Sequence, residues 1–337
     1  MLKKMGRRPR FDMAEIQTGP PAERQVAIEV KAAGVNFAEV LMVHGLYMDA
    51  PRTPFIPGYE VAGIVKEAGK KSGYKKGDRV AALTNFGGWA KEIVLDDKQV
   101  VKVPASISFA EAASIPVNYT TAAVALKEMC RIRKDDWVLV HGGAGGVGRM
   151  ALQIAKATGA GTIATVGYDE KKKTAEEAGA DHVINYRKES FVEQVNMITG
   201  NRGVDCILDP VGGKNLKKDS ACLAPTGTII LFGLAAIFKN GRPSRFRLLR
   251  AFFRSLTHSP MLLMDKNQGI FGVNMLKFFG SSAEDIIQSH FKTGIESAAK
   301  KKIKPLIHKT YPLEEAPLAL DELKGGKTVG KIILKIG

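Results

Sequence analysis

Cysteine is scarce in this chain. Cys130, Cys206 and Cys222 are scattered, with no CxxC spacing. A four-cysteine zinc lobe is therefore excluded, and so sparse a set fits a reducing compartment better than a disulfide framework. No window holds the ~20 apolar residues of a membrane-spanning helix. The opening Met1-Leu-Lys-Lys-Met-Gly-Arg-Arg-Pro-Arg10 is basic but lacks an apolar core and a cleavage site, so it is no secretory signal. A cytoplasmic protein is expected. Acidic residues are also few, 34 against 50 Lys and Arg, for a net charge of +16. That balance admits nucleic acid, an anionic membrane or an anionic ligand. Zinc-finger spacings and RNP-like aromatic boxes are both missing, so no nucleic-acid partner is expected. Histidines are few and isolated, at 44, 141, 182, 258, 290 and 308, without close ligand spacing. No metal site is expected.

Glycine, by contrast, is placed with purpose. The apolar run Val138-Leu-Val140 leads into His141-Gly-Gly143-Ala-Gly145-Gly-Val-Gly148, and a helical pattern follows in Met150, Ala151, Ile154 and Ala155. Strand, glycine turn and helix in that order are the context that gives GxGxxG its meaning. Gly143 permits the tight turn, Gly145 lets a pyrophosphate approach the backbone, and Gly148 lets the helix pack against the strand. The amides from Gly143 through Ala144, Gly145, Gly146 and Val147 to Gly148 would then cradle the diphosphate, with the helix dipole assisting. A ligand-free glycine turn is the plain alternative.

With 337 residues, two domains are expected. Residues 23–103 read as short strands between Gly and Pro turns: Gln25–Lys31, which alternates apolar and polar, then Glu60–Val65, Gly77–Leu83 and Glu92–Leu95. That pattern suits a compact β-barrel. From Phe109 to about Lys134 the pattern is helical. Beyond it strands at Val138–Val140, Gly161–Val166, His182–Asn185, Val204–Asp209 and Thr228–Phe232 alternate with helices. Such alternation predicts a doubly wound parallel sheet. A last strand at Lys331–Lys335 is expected to close back onto the N-terminal β domain.

Several motifs in order carry a wider resemblance. They are Gly34-Val-Asn-Phe-Ala-Glu39, Gly45-Leu-Tyr47, Pro57-Gly-Tyr-Glu-Val-Ala-Gly63, Gly77-Asp-Arg-Val80, Val117-Asn-Tyr-Thr-Thr-Ala122, the glycine loop, Gly179–Tyr186, Gly203-Val-Asp205 and Asp209-Pro-Val-Gly-Gly213. The set resembles the zinc-independent quinone oxidoreductase branch of the medium-chain dehydrogenase/reductase superfamily. That branch includes ζ-crystallin-like reductases and the vesicle amine transport protein group, which the segment after Gly233 resembles more closely. The resemblance implies an α/β fold: a GroES-like β-barrel catalytic domain, residues 1–120 and 282–337, and a doubly wound Rossmann domain, residues 121–281. It also implies a homodimer. The family opens with a β-strand, and the altered start at Met1–Phe11 leaves open whether this chain has it.

Zinc-dependent relatives place a ligand where this chain has Asn36 and a histidine where it has Tyr59. The resemblance therefore implies zinc-independent chemistry, with Asn36 and Tyr59 facing the nicotinamide. It matches Tyr47 to a proton-donating tyrosine of enoyl reductases. It places Asn118 and Thr121 at the domain junction and Gly233 against the carboxamide. From the residues themselves, Tyr47 as a loop cover, Tyr59 as a core tyrosine and Asn36 as a turn residue remain open; Glu60 and Asp78 read as structural. An acid normally holds the ribose 2′-hydroxyl at the end of the second strand; Gly167 stands there, with Asp169 two residues later and Lys171, Lys172 and Lys173 next. A lysine there suits a 2′-phosphate. The resemblance matches Lys171 and Tyr186 to the residues lining that phosphate, so NADPH is expected.

From Lys239 to Met264 there is no acidic residue before Asp265, and Arg247, Arg250 and Arg254 recur at helical spacing among phenylalanines and leucines. An anionic membrane surface, a dimer face and a helix packed on the core are the readings of this insert. The leading functional expectation is an NADPH-dependent reductase of a quinone or α,β-unsaturated carbonyl substrate. The alternatives are a peripheral membrane or lipid-handling protein with weak catalysis, and an enoyl reductase on carrier-linked thioesters.

Overall fold

The computed structural model describes residues 1–239, 242–243 and 259–337. They form two compact units, one of Met1–Thr120 with Leu276–Gly337, the other of Thr121–Met275.

The first unit opens on β1 (Leu2–Lys4) paired antiparallel with β2 (Arg10–Phe11). The start that the sequence left open is thus a strand pair. Leu2, one large apolar residue in a basic stretch, is fully buried. Its amide donates to the Phe55 carbonyl at 2.8 Å, and the Phe55 amide returns the bond at 3.2 Å. Burial and these paired bonds hold a strand that composition alone does not reveal. The long strand β3 (Gln25–Val35) pairs with β4 (Glu60–Ala68) and β6 (Glu92–Asp96), while β5 (Arg79–Leu83) lies between β4 and β7 (Val100–Lys102). Its residues Val26, Ile28 and Val30 are buried, as the alternation requires. Between β3 and β4 runs α1 (Phe37–Val43); α2 (Phe109–Ser114) and α3 (Pro116–Ala123) follow β7. The expected helix to Lys134 is broken at Pro116, whose ring suits a first helical turn. It ends in a π-helical turn over Val124–Met129.

The second unit is a parallel sheet of β8 (Trp137–His141), β9 (Gly161–Val166), β10 (His182–Asn185), β11 (Val204–Asp209), β12 (Leu223–Leu231) and β15 (Gly269–Gly272), with β13 (Phe238–Lys239) and β14 (Arg242–Pro243) forming a separate hairpin. Its order is β10-β9-β8-β11-β12-β15. The order reverses between β8 and β11, the place where doubly wound sheets bind ligands beyond the carboxyl ends of their strands. The crossovers carry α4 (Gly146–Thr158), α5 (Lys172–Glu176), α6 (Phe191–Ile198) and α7 (Asn215–Ala221). Leu139, Ile163, Ile207 and Ile229 from four neighbouring strands share one core with Phe191 and Val195 of α6.

Cys130 and Cys206 form a disulfide, with Cα atoms 6.1 Å apart. The reading that so sparse a set suits a reducing compartment better than disulfides is corrected for these two; Cys222 stays free and buried. Spacing could not show the pair, because 76 residues separate them. The sheet order brings them together: Cys206 lies in β11 opposite Val138 of β8, and Cys130 sits just ahead of β8.

Residues 240–241 and 244–258 fall outside the described residues, and with them Arg247, Arg250 and Arg254 of the basic insert. Its described end is α8 (Pro260–Lys266), which exposes Met261 and Met264. Among the described residues no helix is long and apolar enough to cross a membrane. The chain then returns to the first unit through α9 (Glu284–Ala299), β16 (Ile307–Pro312), α10 (Ala316–Lys324) and β17 (Lys331–Lys335). As expected, β17 pairs antiparallel with β3.

Candidate functional site

Two groups of residues carry chemistry, one in each unit. In the second unit β8 ends at His141, Gly142 turns the chain with φ +69°, and α4 begins at Gly146. A Cβ on Gly148 would overlap the Gly142 carbonyl oxygen, and one on Gly143 would sit 2.6 Å from the Ala164 Cβ. Only glycine lets strand, turn and helix approach this closely. No side chain caps α4. Its first-turn amides, at Gly146, Val147 and Gly148, therefore keep their donors for an anion. Beneath the loop, buried His141 bonds Thr165 Oγ1 and Asp219 Oδ1, each at 2.9 Å. Burial opposes charge on His141, but Asp219 and Asp209 outweigh it and the net shift is upward. Asp209 accepts the Val211 and Gly212 amides; burial and Asp219 push its carboxyl up to about 7.

At the carboxyl ends of β9 and β10 stand Gly167, Lys171, Tyr186 and Arg187. The Arg187 guanidinium lies 4.2 Å over the Tyr168 ring. The Tyr186 hydroxyl comes so near Gly167 that a Cβ there would be 2.8 Å away. Burial, then the Arg187 charge, pushes the Lys171 ammonium down to about 8. Asp169, the acid that follows Gly167 in sequence, accepts Asn185 Nδ2 at 2.8 Å and pairs with Lys188. Those bonds hold its carboxyl down to about 2. Gly233 follows β12, close enough to Pro210 that a Cβ would lie 2.5 Å from its carbonyl oxygen.

The first unit holds a buried polar cluster around Asn36, which starts α1. Its amide nitrogen donates to Glu39 Oε2 at 2.8 Å, and its Nδ2 donates to Glu60 Oε1 at 3.0 Å. Its Oδ1 accepts from Lys331 Nζ at 2.5 Å. Lys331 also pairs with Glu60, both nearly inaccessible to solvent. The other Glu60 oxygen takes the Val117 amide at 2.8 Å. A Cβ on Gly34 would overlap the Glu60 carboxylate, so that glycine makes room for the ion pair. Tyr47 and Tyr59 lie beside the cluster, ring centroids 6.3 Å apart. Burial raises both phenols above the ordinary tyrosine value. The buried Tyr59 hydroxyl has no backbone partner and interacts instead with the Tyr47 phenol, so the picture of a core tyrosine satisfied by backbone does not describe it. On α3, Asn118 and Thr121 are both buried, and Asn118 Nδ2 donates to the Ser114 carbonyl at 3.0 Å.

Comparison with known proteins fits this geometry. An alcohol dehydrogenase GroES-like domain family matches residues 22–105, and a zinc-binding dehydrogenase family matches residues 146–279. The chain is 33% identical over 327 residues to the quinone oxidoreductase of Rattus norvegicus, covering 95% of this chain and 92% of that protein. This chain belongs to the medium-chain dehydrogenase/reductase superfamily. Within this superfamily of oxidoreductases its relatives are quinone oxidoreductases and VAT-1 homologues. It is 31% identical over 323 residues to the synaptic vesicle membrane protein VAT-1 homolog of Danio rerio, covering 95% of this chain but only 66% of that protein. Among solved structures it resembles the Escherichia coli quinone oxidoreductase complexed with NADPH, at TM-score 0.83 and 30% identity, covering 96% of this chain and 94% of that one. It also resembles the CurK enoyl reductase, at TM-score 0.81 and 27% identity, covering 100% and 98%.

Zinc, implied by one of the superfamily's names, does not fit the donors present. Asn36 and Tyr59 replace good ligands, and the neighbouring Glu60 is already neutralised by the Lys331 ammonium, which would repel a dication. Among the described residues no group of three or more His, Cys, Asp or Glu could hold a metal. NADPH fits better: an uncapped glycine-rich helix start for the diphosphate, and a crowded Lys171–Arg187 corner for a further phosphate. Sequence reasoning missed Arg187, Glu39, Lys331 and the His141–Asp219 pair. Arg187 had a signal, following Tyr186 directly, and Glu39 sits at capping-box spacing from Asn36. Lys331, 295 residues from Asn36, had none.

Proposed function

We propose that this chain is an NADPH-dependent, zinc-independent reductase that delivers hydride to a quinone or an α,β-unsaturated carbonyl compound. The observation that carries the reading is the cationic corner at Lys171 and Arg187, with Asp169 already engaged by Asn185 and Lys188, together with the uncapped glycine-rich helix start. Bound NADPH supplies the hydride. The amides of residues 143–148 hold its diphosphate, with the positive end of α4 behind them. Lys171, Tyr186 and Arg187 hold the 2′-phosphate. Asn118, Thr121 and Gly233 orient the nicotinamide. In the first unit Tyr47 donates its proton to the oxygen on which charge develops, and Tyr59 and Asn36 supply hydrogen bonds. Asn36 is fixed by Glu60 and Lys331, so the N–H it retains is preorganised. Residues 121–281 are the dinucleotide domain in this reading, and the working form is a homodimer.

Loss of NADPH absorbance across a panel of quinones and enones tests the reading, with Tyr47→Phe alongside. Turnover that Tyr47→Phe lowers tenfold or more supports it. Absence of turnover on every acceptor overturns it. A second reading, attachment to an anionic membrane, draws on the exposed Met261 and Met264 of α8 at the end of the basic insert. Co-sedimentation with anionic liposomes that 0.5 M salt abolishes, by shrinking the Debye length to about 3–8 Å, supports it.

A further inference from the structure

We propose that Lys331 is a positioning residue for the reduction step: its ammonium locks the Asn36 amide as a hydrogen-bond donor and cancels the Glu60 charge that would otherwise oppose charge on the acceptor oxygen. The inference rests on the reductase reading above. Three neighbouring strands bring these residues together. β17 pairs with β3 so that Ile332 lies opposite Val35, and β3 pairs with β4 so that Ala33 lies opposite Val61. Lys331, Asn36 and Glu60 each sit one residue from a member of those pairs, at one end of the three strands. Lys331 and Glu60 are nearly inaccessible to solvent, whereas Asn36 is half-buried. Asn36 is therefore the member of the three that a ligand can reach.

Every bond in the cluster points the same way. The Asn36 backbone amide donates to Glu39 Oε2 at 2.8 Å and its Nδ2 donates to Glu60 Oε1 at 3.0 Å, while its Oδ1 accepts from Lys331 Nζ at 2.5 Å. An ammonium can only donate and an ionised carboxylate can only accept. The two partners thus leave the amide one orientation, with Oδ1 on Lys331, one Nδ2 hydrogen on Glu60 and the other Nδ2 hydrogen for a ligand oxygen. That orientation also sets a carboxylate near the ligand. Acceptors on the two hydrogens of one amide nitrogen lie roughly 5 Å apart. At that separation, and at the effective dielectric of a protein interior, an uncancelled carboxylate would slow a step that builds negative charge about tenfold or more. Lys331 pairs directly with Glu60, and the Val117 amide takes the second Glu60 oxygen at 2.8 Å.

The step itself is the one proposed above. Hydride from NADPH forms a C–H bond at a carbon of the acceptor, the π electron pair moves to the acceptor oxygen, and the Tyr47 O–H bond breaks as its proton goes to that oxygen. Lys331 and Glu60 exchange no proton and touch no reacting atom. They act through Asn36, by fixing its donor and by leaving the cluster without net charge behind it.

The test compares wild type, Lys331→Met and the Lys331→Met/Glu60→Gln double variant, with circular dichroism and NADPH titration as folding checks. kcat and KM are measured for a series of quinones of graded reduction potential. Lys331→Met should lower kcat about ten- to a hundredfold, approaching the loss of an oxyanion donor, and the double variant about three- to tenfold, since it strands no charge. Acceptor KM and NADPH affinity should stay within about threefold, because the lost interaction belongs to the transition state. In both variants log kcat/KM should depend more steeply on reduction potential than in wild type. Acceptors that hold negative charge poorly rely on the Asn36 donor most, whereas a merely loosened fold slows every acceptor alike. A double variant with wild-type kcat and slope overturns the inference and leaves the reductase reading standing, as does a loss equal for every acceptor. A folded Lys331→Met protein as active as the double variant overturns the charge cancellation. If Lys331→Met fails to fold, the slope of the double variant decides. No turnover in the wild type overturns the reductase reading and the inference together.

Discussion

In the proposed reading, the coenzyme preference turns on Lys171. Burial and Arg187 push its ammonium down to about 8, so in the free protein the charge is lost as pH rises through that value. NADPH affinity should therefore fall between pH 7 and 9.5 while NADH affinity stays flat, as followed by fluorescence titration. Lys171→Ala should weaken NADPH about tenfold to a hundredfold, the range of a hydrogen bond to a charged group, and NADH less than twofold. Glu60 and Lys331 form a pair buried at 0% and 3% exposure. Lys331→Met strands the carboxylate and should cost about 3–5 kcal/mol in urea unfolding, most of it recovered by adding Glu60→Gln. Glu39 has the opposite character. Its folded pKa is raised from 4.5 to about 8, so the unfolded chain ionises first and stability falls as pH climbs through that window. Glu39→Gln should raise the melting temperature relative to wild type by an amount that grows from pH 5 to pH 8. The motifs drew attention to Asn36, Tyr47 and Tyr59, and Glu39 had a signal in its capping-box spacing from Asn36. Lys331 had none, because its partners Asn36 and Glu60 lie in remote parts of the chain.

Strands and helices were legible where their periodicity is strong. The alternation over Gln25–Lys31 marks β3, which runs on to Val35, and Phe191–Ile198 is helical throughout. The sixth parallel strand, β15, was missed because Gly269-Ile-Phe-Gly272 is short and only partly buried. The opening pair β1 and β2 was missed because one leucine anchors it. The glycine loop gives the sharpest element-scale prediction. Gly148→Val pushes side-chain atoms into the Gly142 carbonyl and should abolish NADPH binding while lowering the melting temperature. The disulfide ties the end of a π-helical turn to β11 across 76 residues. Chain entropy for such a loop gives about 4 kcal/mol, so reduction by dithiothreitol should lower the denaturation midpoint, and Cys130→Ser should reproduce the loss without reductant.

Over the whole molecule, the division into a β unit and a doubly wound unit was readable from the change of pattern near Phe109. The net charge of +16 was readable as a quantity but not as a partner, because charge sums carry no geometry. Homodimer assembly in this reading should appear as twice the 36.4 kDa chain mass in light scattering. The central claim is that the glycine loop and the Lys171–Arg187 corner bind NADPH. Calorimetric titration of the purified full chain with NADPH and with NADH tests it most directly. Saturable NADPH binding, at least tenfold tighter than NADH and lost in Gly148→Val, is the predicted result; no detectable complex with either coenzyme, or equal affinity for both, would contradict it.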